Sequence, residues 1–253
     1  MNYLNSYIGT LICALLLCGT SLEANVLPDY SDYKRLLKEY VAGERVCYEA
    51  WAKNEEDVAA LEAFVEQLGK TAIDSLSPAD QKALYINLYN AAMLRTVLDE
   101  YPIDSVKTIG VLPFSVFKKH IVTLNDRTVS LDTIEKNILL KNYFDPRIHF
   151  AVNCASESCP PLRAEPFVGD RLDEQLEEQA KLFAESDRAA KINKDKKRIA
   201  YSELFKWYAS DFDGENPAEY LNQYRSDALP ANYAIDWIPY DWALNDAHKE
   251  KGQ

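Results

Sequence analysis

The spacing of apolar residues predicts helices in the first half of the chain. The apolar face of the first helix, in "DYSDYKRLLKEYVAG", consists of Tyr33, Leu36, Leu37 and Tyr40. Gly43 closes that helix, and "EEDVAALEAFVEQLGK" gives a second amphipathic helix ending at Gly69. Between them, "RVCYEAW" is expected to form a short strand or extended piece.

The strongest helical pattern is "ADQKALYINLYNAAMLRTVLDEY", which runs to Tyr101 and stops at Pro102. Ser77 is a natural N-cap for this helix, and Pro78 suits its first position. Apolar residues nearly encircle the segment, so we expect a central, buried helix.

Two asparagines of this helix, Asn87 and Asn90, lie three residues apart and therefore share one face. A buried amide must be hydrogen-bonded, and residue type alone favours a role in satisfying neighbouring backbone groups. The functional alternative is that Asn90 orients a histidine and that Asn87 contributes to a ligand pocket.

The second half of the chain combines short hairpins with short helices. Alternation on either side of Asn125-Asp126 predicts a hairpin in "KHIVTLNDRTVSL", and "KINKDKKRIAYS" predicts a second one. Helices are expected in "SLDTIEKNILL", "DEQLEEQAKLFAES", "SELFKWYASDF" and "PAEYLNQYR", whereas "ANYAIDWIPYDWALN" reads as extended. Helices and short antiparallel pairs without βαβ alternation predict an α+β fold. We expect one domain over residues 25–246, built around the central helix, and a flexible tail over 247–253.

Composition narrows the classes of function. The chain has 253 residues, 47% of them hydrophobic, and a formal net charge of -12. Such acidity disfavours nucleic acid and anionic membrane surfaces as partners. The chain lacks a phosphate-binding glycine loop, an H-E-x-x-H helix and a G-x-S-x-G elbow, so nucleotide enzymes, zinc peptidases and serine esterases are disfavoured. We expect no cofactor.

The N-terminal segment has the pattern of an export signal. An apolar run from Ile8 to Cys18 is too short to span a bilayer comfortably and is followed by small and polar residues. We predict a signal peptide over residues 1–24 and a periplasmic or secreted protein, with no other membrane association. The alternative is a lipid anchor on Cys18, although Leu17 is larger than the residue that lipoprotein signals use.

The stretch "RIHFAVNCASESCPPL", residues 147–162, carries the candidate chemistry. If residues 147–153 form a strand, His149 and Asn153 share a polar face and Cys154 points toward the core. Cys159 follows a polar loop and precedes two prolines, so it is the better thiol nucleophile on this geometry. His149 would be its base, with Glu135 or Asn90 holding the ring.

Two other interpretations of the cysteines stay open. A Cys154–Cys159 disulfide would close a small loop and contribute about 2 to 3 kcal/mol. A metal site is weakly supported, because a fourth ligand and a C-x-x-C pair are both lacking. Arg147 and Arg163 bracket the stretch and, with Asn153 and Asn87, are candidates for binding a carboxylate-bearing ligand.

Five blocks resemble the domain of unknown function 547 (DUF547) family, in order. They are "YINLYNAAMLRTVLDEYPIDSV", "VSLDTIEKNIL", "DPRIHFAVNCASESCPPLR", "LFKWYASDF" and "YDWALN". The resemblance implies a family of exported bacterial proteins and plant proteins without a securely assigned function. Plant members keep both cysteines in a reducing cytosol, which fits a disulfide-only role poorly. Cys47 stands where the family commonly has Asp or Asn, so we expect a half-buried local cysteine there. Lys136 stands where a His often follows the Glu, which removes one candidate base.

We therefore predict a thiol-dependent hydrolase or transferase acting on small amide- or thiol-containing compounds, with a small molecule or peptide as substrate. The alternative is a non-catalytic periplasmic binding or scaffold domain held by the Cys154–Cys159 disulfide.

Overall fold

The computed structural model describes residues 27–212, 214 and 216–247. The predicted signal peptide, Cys18 and residues 248–253 lie outside them. The α-helices of this part are α1 (Ser31–Tyr40), α2 (Tyr48–Ala52), α3 (Glu55–Lys70), α4 (Pro78–Glu100), α5 (Leu140–Asn142), α6 (Ile148–Ala151), α7 (Leu172–Ala184), α8 (Leu204–Trp207) and α9 (Pro217–Leu221). A π-helix, Thr133–Leu139, leads directly into α5. Within the described residues, no helix is both long and apolar enough to cross a membrane.

Three small sheets complete an α+β domain, which confirms the predicted fold class. The strands are β1 (Val41–Ala42), β2 (Arg45–Val46), β3 (His120–Leu124), β4 (Arg127–Ser130), β5 (Ala190–Asn193), β6 (Arg198–Ser202) and β7 (Ala234–Ile238). The first four form two antiparallel hairpins, and the predicted Asn125-Asp126 turn joins β3 to β4. In the third sheet β6 pairs antiparallel with β5 and parallel with β7. The parallel pair requires a crossover, which α8 and α9 supply between its strands.

Helix α4 lies at the centre of the larger core, as predicted from the apolar residues that nearly encircle it. The Ser77 hydroxyl accepts a hydrogen bond from the Asp80 backbone N–H, and Pro78 occupies the first turn. Helix α3 packs along α4, and the predicted apolar face of α1 is buried in the same core. A long helix buried on nearly every side gives the neighbouring loops a fixed support.

A second, aromatic-rich core lies beneath the three-stranded sheet. Its buried aromatic residues are Phe150, Phe183, Tyr201, Phe205, Phe212 and Tyr220. The short helix α6 belongs to both cores, because Ile148 packs in the first and Phe150 in the second. The candidate residues His149, Asn153, Cys154 and Cys159 lie on α6 or in the loop directly after it.

Two predictions of extended structure are wrong. Most of "RVCYEAW" forms α2, with only Arg45 and Val46 in a strand. Residues 148–151 form one helical turn instead of a strand. The Asp145 carboxylate accepts the Arg147 N–H at 3.0 Å, and the Asp145 carbonyl accepts the Ile148 N–H at 3.0 Å. These two bonds turn the chain into a helix directly after Asp145-Pro146. A segment of four residues, three of them apolar, is too short for periodicity to distinguish a helix from a strand.

Candidate active site

A cavity of about 300 Å³ opens beside the junction of the two cores. Its aromatic lining consists of Tyr89, Phe114, Phe117, Trp207, Tyr208, Tyr240 and Trp242. Its ionisable and reactive lining includes Glu135, His149, Cys154 and Cys159. Glu135, His149 and Cys159 were predicted as site residues, whereas Cys154 was expected to point toward the core; in the structure all four line one cavity.

The loop after α6 presents Cys154 to this cavity. Asn153 is buried and organises the loop through its side chain, which accepts the Ala155 N–H at 2.8 Å and donates to the Pro160 carbonyl at 2.8 Å. Ala155 has φ of 60°, a left-handed conformation that is uncommon for a residue with a Cβ. The predicted ligand-binding residue Asn153 therefore shapes the loop that carries the thiol, with its side-chain amide engaged by backbone.

Asn90 ties this loop to α4. Its side-chain oxygen accepts the Asn153 N–H at 2.8 Å, and its nitrogen donates to the Ala151 carbonyl at 2.9 Å. Asn87 makes the equivalent pair of bonds with the backbone of Phe167, at 2.9 and 2.7 Å. The backbone-satisfying interpretation of both asparagines is confirmed.

Two hydroxyl groups lie within hydrogen-bonding distance of the half-buried sulfur of Cys154. Ser156 Oγ lies 3.0 Å from it and the Tyr240 hydroxyl 3.4 Å. Burial raises the pKa of this thiol, but hydrogen bonds from Cys159, Ser156 and Tyr240 outweigh burial and bring the pKa below its ordinary value. Burial and the Cys154 anion together raise the pKa of Tyr240 well above normal, so its hydroxyl stays protonated and can donate.

Cys159 has the opposite character. It is 3% exposed, and its sulfur accepts the Cys154 N–H at 2.9 Å. Burial, followed by the neighbouring Cys154 thiolate, raises the pKa of Cys159 well above its ordinary value. The geometric argument for Cys159 as the nucleophile depended on a strand that is a helix. Cys154 is the better nucleophile, because it is more exposed than Cys159 and its thiol has the lower pKa.

His149 is the buried base candidate of the cavity. Its Nε2 lies 2.8 Å from an Asp211 carboxylate oxygen, and its ring packs on Tyr208 with centroids 4.1 Å apart. A carboxylate only accepts hydrogen bonds, so Nε2 carries the proton and Nδ1 is left as the basic nitrogen. Burial lowers the pKa of His149, although the Asp211 hydrogen bond opposes the change, so the ring favours its neutral form.

The partner of the His149 ring was predicted incorrectly. Glu135 accepts a hydrogen bond from the Tyr208 hydroxyl at 2.8 Å, and Asn90 is occupied by backbone, so neither takes the position that Asp211 holds. The segment "WYASDF" contributed no residue to the predicted site. Its one carboxylate among aromatic residues was the signal that could have identified Asp211.

The two arginines proposed for ligand binding do not line this cavity. Arg147 pairs with Asp145 at 2.9 Å and Asp173 at 2.7 Å, and also approaches a third carboxylate. Arg163 forms ion pairs with Glu165 and Glu178, each at 2.5 Å. Both guanidinium groups therefore tie the segments that carry them to helix α7.

The described cysteines are neither bridged nor grouped for metal binding. Cys47, Cys154 and Cys159 are free thiols, so the alternative Cys154–Cys159 disulfide is not formed in this structure. Cys47 is half-buried, as predicted, and lies outside the cavity. Within residues 27–212, 214 and 216–247, no group of three or more His, Cys, Asp or Glu side chains is placed to hold a metal ion.

Residues 73–184 match the family model described as "Protein of unknown function, DUF547", so this segment is similar to that family. The match contains Glu135, His149 and both cavity cysteines, while Asp211 lies beyond its end. Among curated proteins and among solved structures, nothing matches the chain.

Proposed function

We propose that this protein is a thiol-dependent hydrolase or acyltransferase with Cys154 as nucleophile, His149 as base and Asp211 as the residue that positions the ring. One observation carries the proposal: the half-buried Cys154 thiol lines the same cavity as buried His149, and the His149 ring nitrogen Nε2 lies 2.8 Å from the Asp211 carboxylate. Nucleophile, base and orienting carboxylate are the groups that acyl transfer by a thiol requires.

The reaction proceeds in two stages. Cys154 gives its proton to Nδ1 of His149, and its sulfur attacks the substrate carbonyl, forming a carbon–sulfur bond. The imidazolium then protonates the leaving amine or thiol as its bond to the acyl carbon breaks. Neutral His149 next takes a proton from water or another acceptor as it attacks the acyl carbon. The carbon–sulfur bond breaks, and the Cys154 sulfur recovers its proton from the imidazolium.

The cavity favours an acyl group with an apolar or aromatic body. Tyr240 and Trp242 contact one another with centroids 4.5 Å apart, and Trp207 and Phe114 extend this aromatic wall toward solvent. Aromatic walls supply large apolar contact area and stacking. Small amides and thioesters of about the size that fills 300 Å³ are therefore the proposed substrates.

Acyl-adduct detection tests the proposal. The reduced protein is incubated with a panel of small aryl amides and thioesters, and the tryptic peptide 148–163 is examined by mass spectrometry for an added acyl group. We expect the adduct in the wild type and in Cys47→Ser, its loss in Cys154→Ser, and slower formation in Asp211→Asn. An adduct that persists in Cys154→Ser, or an Asp211→Asn rate equal to the wild-type rate, would contradict the assigned roles.

We further propose that residues 1–24 direct export, giving a periplasmic or secreted protein whose partner is a small molecule or peptide. The apolar run that ends at Cys18 supports export, and the net charge of -12 disfavours nucleic acid as a partner. The mature N-terminus should lie near Asn25 by mass spectrometry. Retention of residues 1–24, or a diacylglyceryl group on Cys18, would contradict simple export.

A further inference from the structure

The thiol that the proposed mechanism does not use is Cys159, which lies directly behind Cys154. Its sulfur is 2.9 Å from the Cys154 backbone nitrogen. Atoms so close to the Cys154 backbone are within reach of the Cys154 side chain by rotation about its Cα–Cβ bond. The intervening residues form a tight turn closed by the Cys159 N–H and the Ser156 carbonyl at 3.1 Å. This turn therefore holds the Cys159 sulfur next to the backbone of Cys154.

We propose that Cys154 is a site of reversible oxidation by hydroperoxides and that Cys159 is its resolving thiol, so that the two form an intramolecular disulfide. This inference rests on the geometry of the two cysteines and not on hydrolase activity. It differs from a permanent structural disulfide, because both thiols are free in the structure and the bridge is formed only after oxidation.

The first step is oxidation of the more accessible sulfur. The Cys154 thiolate attacks one oxygen of the hydroperoxide, a sulfur–oxygen bond forms, and the oxygen–oxygen bond breaks. The leaving alkoxide or hydroxide takes a proton from solvent, and Cys154 becomes a sulfenic acid. The half-buried position of Cys154 and its surrounding donors favour a thiolate that meets peroxide from the cavity.

The second step uses the neighbouring sulfur. The Cys159 sulfur attacks the Cys154 sulfenic sulfur, a disulfide forms, and the hydroxyl leaves as water with the Cys159 proton. In the reduced state, burial and the adjacent Cys154 anion hold the proton on Cys159. Conversion of Cys154 to a neutral sulfenic acid removes the second of these influences, so oxidation of one thiol prepares the other to react.

Peptide mass spectrometry and a sulfenic-acid probe test the inference on the full chain. Trypsin releases residues 148–163 as one peptide that contains both cysteines. After a small molar excess of hydrogen peroxide, we expect this peptide to lose two hydrogens and to regain them with dithiothreitol. In Cys159→Ser, where the hydroxyl can still accept the Cys154 N–H, dimedone should label Cys154 at least about tenfold more than in the wild type.

Cys47→Ser is the matched control, because it removes the thiol outside the cavity and should behave as the wild type. Equal dimedone labelling in the wild type and Cys159→Ser, or a disulfide that involves Cys47, would overturn the inference. The wild-type peptide mass decides the question even if a variant folds poorly. Formation of the bridge without an acyl adduct would refute only the hydrolase proposal, and an adduct without the bridge would refute only this one.

Discussion

At Cys154, three polar groups approach one sulfur: the Ser156 hydroxyl, the Tyr240 hydroxyl and the neighbouring thiol of Cys159. Hydrogen bonds to the charged form of a group lower the pKa of an acid. This thiolate is therefore stabilised mainly by neutral donors, and His149 is free to act as a neutral base.

The Tyr240 hydroxyl provides a direct test at the residue scale. Tyr240→Phe removes one donor from the Cys154 sulfur, so we expect its pKa to rise and its alkylation near neutral pH to slow about three- to tenfold. The measurement is the iodoacetamide rate as a function of pH. Tyr208→Phe is the control, because that hydroxyl lines the same cavity but donates to Glu135. A Tyr240→Phe rate equal to that of Tyr208→Phe would show that Tyr240 does not stabilise the thiolate.

At the scale of elements, α4 holds two loops in the same way, through an asparagine side chain that hydrogen-bonds to the loop backbone. Asn90 fixes the segment that carries Cys154, and Asn87 fixes the segment around Phe167. Each asparagine satisfies one backbone N–H and one carbonyl, which are costly to leave unpaired when buried.

Asn90→Ala and Asn87→Ala form a matched pair of variants. Each should lower the free energy of unfolding by about 2 to 4 kcal/mol, because two buried backbone groups lose their partners. Denaturant unfolding measures this loss. Only Asn90→Ala should also change the alkylation rate of Cys154, since only that loop presents the thiol. An equal effect of both variants on alkylation would mean that the Asn90 clamp does not position Cys154.

The elements that were predictable are those with long periodic patterns or specific local signals. The predicted helix "EEDVAALEAFVEQLGK" coincides with α3, and Ser77-Pro78 located the start of α4. The four-residue helix α6 was not predictable, because its apolar run fits a strand equally well and its helical form depends on the Asp145 turn. That error reversed the expected directions of Cys154 and Cys159.

At the scale of the whole molecule, the candidate site is assembled from distant segments. Glu135, His149 with the cysteines, Asp211, and Tyr240 come from four separate parts of the chain. The sequence could nominate the first two groups from residue types and family blocks. The pairing of His149 with Asp211 depends on how α6 and the turn after α8 meet in the second core. Local sequence patterns carry no information about this long-range contact.

Burial of neutral His149 makes the stability of the whole domain depend on pH. Its pKa is lower in the folded protein than in the unfolded chain, so the unfolded chain binds a proton first as the pH falls. The free energy of unfolding should therefore decrease as pH falls below about 6.5, by at most about 1.4 kcal/mol per pH unit from this group. Denaturant unfolding at pH 7 and pH 5 should show a smaller decrease in His149→Gln than in the wild type. An equal decrease in both proteins would contradict a depressed His149 pKa.

Selective alkylation of the native, reduced protein tests the central claim, that Cys154 is the reactive thiol. Less than one equivalent of iodoacetamide is added near pH 7, and fragmentation of peptide 148–163 separates labelling at Cys154 from labelling at Cys159. The label on Cys47 serves as an internal reference, because burial raises the pKa of that thiol. We predict that Cys154 is labelled first and that its rate follows a pKa below that of free cysteine, about 8.5. Earlier labelling of Cys159 or Cys47 would contradict the account.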